Sequence, residues 1–123
     1  MYNWRRLFVI IDVAGLKGQK SDLAHLDEVT TKLGFVRWQW EYYRATYDLK
    51  IEDRTQKEEY FLRVNTRVET GKLESPYAIL YIEDSYVGRT TFPHGLDYEG
   101  AVPDSVVKIA TQKLTQLKQL LSE

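Results

Sequence analysis

The chain has 123 residues, a formal net charge of −1 and no cysteine. That length is enough to bury one core in a single domain over 1–123, and the charge balance excludes a general electrostatic pull toward nucleic acid or anionic membrane. Without cysteine there are no disulfides, thiolate nucleophiles or thiolate metal sites, and the composition is compatible with a reducing cytoplasm. At 43% hydrophobic and 13% aromatic residues the sequence is that of a globular protein.

Taken from its start, the chain runs from Arg5-Arg6 into the apolar Leu7 to Ile11. This resembles the head of a signal peptide, but Asp12 ends the apolar run too early, and nothing approaches the ~20 apolar residues of a membrane span. The stretch reads as a first β-strand over about 6–13. Ala14 to Lys20 is a turn-rich connection. Ser21 or Asp22 then caps a helix whose Leu23, Leu26, Val29 and Leu33 recur every three or four residues, and Gly34 stops it.

Phe35 to Ile51 holds six of the sixteen aromatic residues. Val36, Trp38, Trp40 and Tyr42 make an even row and Tyr43, Ala45, Tyr47, Leu49 and Ile51 an odd one, so the apolar phase flips at Tyr42-Tyr43. A bulge or sharp bend between Glu41 and Arg44 is therefore expected, giving two strands or one kinked strand, with the rings mostly in the core. After the bend Arg44, Thr46, Asp48 and Lys50 are polar, as the wet face of an antiparallel sheet requires.

Tyr60, Leu62, Val64 and Val68 form the apolar row of the next strand, which should pair with 45–52 across the loop Glu52 to Glu58. A dry odd row facing a dry even row makes paired positions sum to an odd number, and Asp48 opposite Arg63 is one such register. Tyr77 to Ile82 is apolar on both faces and reads as a central strand, or one covered by a partner subunit. Tyr86 to Phe92 reads as a further short strand. Pro103 and Asp104 open a last helix with Val106, Val107, Ala110, Leu114, Leu117 and Leu121 as its buried stripe and Lys108, Lys113 and Lys118 on its wet side. The resulting class is α+β, with an antiparallel or mixed sheet of about five strands packed by two helices.

Chemical motifs are few. Leu7-Phe8-Val9 and Gly34-Phe35-Val36-Arg37-Trp38 partly match the RNA-recognition motif, but the second follows the first helix directly, where that fold needs an edge strand between. Gly15-Leu16-Lys17-Gly18 matches a KH loop in letters only, and nucleic acid is not an expected partner. His25 reads as a surface residue and Glu83-Asp84 as solvated carboxylates. No metal-ligand spacing, nucleophile elbow or phosphate loop occurs, so neither a metal nor a cofactor is expected. His94, held between Pro93 and Gly95 with Arg89 before it and Asp97 after it, is the one histidine placed for acid–base work or anion binding. A structural role is the commoner use of such a residue.

Phe35-Val36-Arg37-Trp38-Gln39-Trp40-Glu41-Tyr42, Tyr60-Phe61-Leu62-Arg63-Val64 and Phe92-Pro93-His94-Gly95-Leu96-Asp97-Tyr98 together resemble the YugN-like family of small bacterial proteins. The resemblance implies a compact cytoplasmic α+β domain and assigns no activity, substrate or catalytic residue.

With no assembled catalytic set, the sequence favours a binding role over an enzymatic one. An aromatic and arginine-rich sheet face, with Trp38, Trp40, Tyr43, Arg44 and Arg63 as candidates and Arg37 and Arg67 nearby, is expected to bind a protein partner, foremost a second copy in a homodimer. The alternative is a small-molecule site, enzymatic or not, at the loop carrying Arg89, His94 and Asp97.

Overall fold

A computed structural model of the chain describes residues 8–53, 58–89 and 102–123. The elements are β1 (Phe8–Ile10), β2 (Lys20–Asp22), α1 (Leu23–Lys32), β3 (Val36–Glu41), β4 (Arg44–Asp53), β5 (Glu58–Thr70), β6 (Ile79–Arg89) and α2 (Asp104–Leu121). The sheet has six strands in the order β1-β6-β5-β4-β3, with β2 also on β6, and every described pairing is antiparallel. The fold is α+β as the patterning indicates.

Both helices form where their sequence signals lie. Asp22 caps α1 by accepting a 2.8 Å bond from the His25 amide. Gly34 follows its end at φ +96°, which only a residue without Cβ adopts cheaply, and an added Cβ there would lie 3.2 Å from Leu49 Cδ1. Along α2, Val106, Ala110, Leu114, Leu117 and Leu121 are buried and Val107 partly so. These stripes meet the inner row of the sheet, Ala45, Tyr47 and Ile51 with Tyr60, Leu62 and Val64 and with Leu80, Ile82 and Val87, in one continuous core.

The hairpin β4–β5 pairs Asp48 with Arg63, Tyr47 with Val64 and Ile51 with Tyr60, the odd-sum register that parity requires. Elsewhere the structure departs from the expectation in instructive ways. Lys20, expected as connection, pairs together with the cap candidates Ser21 and Asp22 against Ile79 to Tyr81 as β2, because β6 offers them free backbone groups that their polar side chains do not advertise. The break expected between Ile82 and Tyr86 is absent. β6 runs continuously from Ile79 to Arg89, and a register shift sets Glu83-Asp84 opposite the single residue Asn65. This bulge carries the inner row from Leu80 and Ile82 over to Ser85 and Val87 without ending the strand. Tyr77 precedes the strand and is exposed. His25 is half-buried rather than on the surface, with Nε2 enclosed and no hydrogen-bond partner among the described residues.

Among the described residues no helix is long and apolar enough to cross a membrane, and no group of three potential metal ligands comes together.

Candidate functional site

The hairpin β3–β4 decides what the outer face of the sheet carries. Its turn is Tyr42-Tyr43, closed by Glu41 opposite Arg44, and between Glu41 and Gln39 the register shifts by one residue. Beyond the shift Trp38 stands opposite Thr46 and Val36 opposite Asp48. Had the turn register continued, Trp38 would face Tyr47 and Val36 would face Leu49, and both would enter the core. The bulge sends them outward instead. Trp38 is 51% exposed and Val36 60% exposed, and Tyr42 and Tyr43 are also exposed at the turn. The expectation of a mostly buried aromatic row is thereby corrected: of Trp38, Tyr42, Tyr43 and Tyr47, only Tyr47 is in the core.

All six strands contribute to this outer face, five along each rung. One rung runs from Ile10 through Tyr86, Arg63 and Asp48 to Val36, and another joins Lys20, Tyr81, Arg67, Arg44 and Glu41. In the first rung Arg63 donates two hydrogen bonds of 2.8 Å from Nε and Nη2 to the two carboxylate oxygens of Asp48, a bidentate geometry. The Asp48 carboxylate, with Tyr86 on the other side, holds the Arg63 guanidinium protonated well above its ordinary range. Asp48 is the buried partner, its side chain 8% exposed. Thr46 donates to Asn65 Oδ1 at 3.2 Å on the neighbouring rung.

Most of the remaining charges of the face pair around this centre. Lys50 lies 3.0 Å from Glu59 and 3.4 Å from Glu52, which raise its pKa, Glu59 the more strongly. Lys20 meets Glu69 at 3.0 Å. Arg67 Nε approaches Glu83 Oε2 to 3.4 Å but without hydrogen-bond geometry, so its enclosed N–H is unpartnered. Asp84 meets Lys17 at 3.5 Å. A shallow depression of about 380 Å³ opens here, lined by Glu41, Arg44, Thr46, Arg63, Asn65, Thr66, Glu83 and Asp84.

The candidate residues from the sequence divide accordingly. Trp38, Arg44 and Arg63 are on the outer face, with Tyr43 at its end, and Trp40 falls in β3 at the bulge. Arg67 joins them. Arg37 does not: it is on the helix side, donating to Asp27 Oδ2 at 3.1 Å, while Tyr47 donates to Asp27 Oδ1 at 2.7 Å. Burial, and then the Asp27 carboxylate, push the Tyr47 hydroxyl far above its usual pKa. Arg89 ends β6 opposite Tyr60. His94 and Asp97 lie outside the described residues. Tyr81, Tyr86 and Ile10 are the outer-face residues that sequence reading passed over, and the phase of β6 relative to β5 is the signal that would have found the first two.

An antiparallel sheet covered by two helices on one side and bearing paired charges and aromatic rings on the other defines a small α+β protein. The chain belongs to the YugN-like family, whose profile matches residues 13–121. It is similar to the crystal structure of the uncharacterized conserved protein YugN from Geobacillus kaustophilus HTA426, with 34% identity, 93% of this chain and 95% of that one covered, and a TM-score of 0.81. It is also 29% identical over 108 residues to the uncharacterized protein YlbA of Bacillus subtilis (strain 168), covering 87% of this chain and 88% of that protein.

Proposed function

We propose that the protein is a cytoplasmic interaction module, without catalytic activity of its own, that works as a homodimer through the outer face of its sheet. The observation that carries this reading is the β3 bulge, which sets Trp38 and Val36 outward on a sheet whose other face is already closed by both helices. Exposing a tryptophan in this way forfeits burial worth roughly 1.5–3 kcal/mol for a large apolar side chain, a loss that a partner restores.

Edge pairing is a poorer explanation for the same surface. β3 is an edge strand with a bulge and an inward-facing charge, Arg37, and both features oppose strand-to-strand association.

Light scattering across a concentration series tests the reading. A mass rising toward that of a dimer by high micromolar concentration is expected, with Trp38→Ser shifting the curve toward monomer while leaving the melting temperature nearly unchanged. A parent protein that stays monomeric at high micromolar concentration overturns it.

A further inference from the structure

Apart from Asp22, whose carboxylate caps α1, every charged side chain of the outer face on the described strands has an ion-pair partner except two. Asp48 and Arg63, Lys50 with Glu52 and Glu59, Lys20 and Glu69, and Arg67 and Glu83 are all paired. Glu41 and Arg44 are the exceptions. They stand opposite each other at the closing pair of the β3–β4 turn, are exposed, and make no hydrogen bond or ion pair with each other or with any described residue. Both line the depression beside Thr46 and Asn65. What the face leaves open is thus one cation and one anion, side by side.

Such a pair is self-complementary. A two-fold axis lying between two facing sheets reverses the order in which a second copy presents its charges, so a side-by-side cation and anion can meet their opposites twice over. We infer that the dimer proposed above is isologous, with Arg44 pairing with the partner's Glu41 and Glu41 with the partner's Arg44, and that this reciprocal pair fixes the alignment of the two faces. The inference rests on the homodimer reading and adds to it the contact that sets register. Pairing across the interface also relieves the cross-strand apposition of Arg44 with Arg67, two like charges directly opposite on β4 and β5. Neither residue faces water alone in that arrangement, and Trp38, two rungs along, is covered by the same approach.

Charge reversal with complementation tests it. Glu41→Arg presents two cations to two cations across the axis, and Arg44→Glu presents two anions to two anions. Each variant alone is expected to self-associate about tenfold more weakly than the parent, at unchanged melting temperature, since rim charges at interfaces act mainly through such repulsion. Mixing the two variants is expected to restore association as a heterodimer, which native mass spectrometry separates from either homodimer by mass. The double variant Glu41→Arg/Arg44→Glu is expected to dimerise like the parent. If the parent dimerises and the single variants do so equally well, this pairing is wrong while the homodimer reading stands. Loss of association in both single variants with no recovery on mixing also overturns the pairing. A parent that remains monomeric removes both, and leaves Glu41 and Arg44 to a zwitterionic small molecule.

Discussion

Asp48 and Arg63 face each other across β4 and β5 and close two parallel 2.8 Å hydrogen bonds on the outer side of the sheet. The carboxylate is enclosed although it belongs to the solvent-facing row, because Arg63 lies over it and its strand neighbours flank it. Removing the arginine alone therefore leaves an enclosed charge without its partner. Arg63→Ala is expected to cost about 2 kcal/mol in denaturant unfolding, whereas Arg63→Ala/Asp48→Ala should cost less than the single change. A double variant that is the less stable of the two would show that the pair contributes more than the isolated carboxylate costs.

Tyr47 ties β4 to α1 through Asp27 with its hydroxyl in the core, and burial first, then the carboxylate, hold that hydroxyl protonated. In the unfolded chain a tyrosine loses its proton near pH 10. Above that pH the unfolded state binds fewer protons than the folded one, so stability falls as pH rises, by up to about 1.4 kcal/mol per pH unit, and is untouched below it. Tyr47→Phe is expected to flatten this alkaline limb while costing about 1 kcal/mol at neutral pH through the lost hydrogen bond. Unfolding curves for parent and variant between about pH 8 and 11 measure both effects, and parallel curves would exclude Tyr47 as the source of the slope.

The last helix gives a check on register. Leu117 is fully buried and Lys108 is exposed on the opposite side. Leu117→Asp should cost several kcal/mol, a large part of the stability of a domain this size, and Lys108→Asp within about 0.5. Equal melting temperatures would contradict the packing of α2.

At the start of α1, Asp22→Ala removes the side chain that accepts from the His25 amide and is expected to cost about 1 kcal/mol, with Asp22→Asn costing only part of that. Chemical denaturation resolves the difference. Identical losses for Ala and Asn would mean that charge, and not the cap bond, holds the helix start.

What could be read from the residues and what could not follows from the physics of each element. The partners Asp48 and Arg63 were derivable because a dry odd row and a dry even row permit only odd-sum registers, and burial enforces parity over the whole ladder. The side on which Trp38 lies was not, because one extra residue inverts that parity and nothing in Phe35 to Tyr42 distinguishes a bulge before the turn from a bend within it. The same ambiguity concealed the continuity of β6, where Glu83-Asp84 read as solvated carboxylates between two strands and form a bulge within one. β2 is invisible for a different reason: Lys20 and Ser21 are strand residues only because the edge of β6 is there to receive them. Of the two candidate sites, the sheet face was legible in its arginines and in Trp38, but its composition depended on the phases of β3 and β6.

The placement of β6 has a consequence for the order in which the chain can acquire its shape. β6 receives β1 along Tyr86 to Gly88 and β2 along Ile79 to Tyr81, so both N-terminal strands have their ladder partner in a segment made much later. On the ribosome, Phe8 to Ile10 and Lys20 to Asp22 must wait with unpaired backbone until Ile79 to Arg89 has emerged, while β4 and β5 can already zip as a local hairpin. The earliest residues synthesised are among the last to be stitched into the sheet, and amide protection during refolding should appear in β4 and β5 before it reaches β1 and β2.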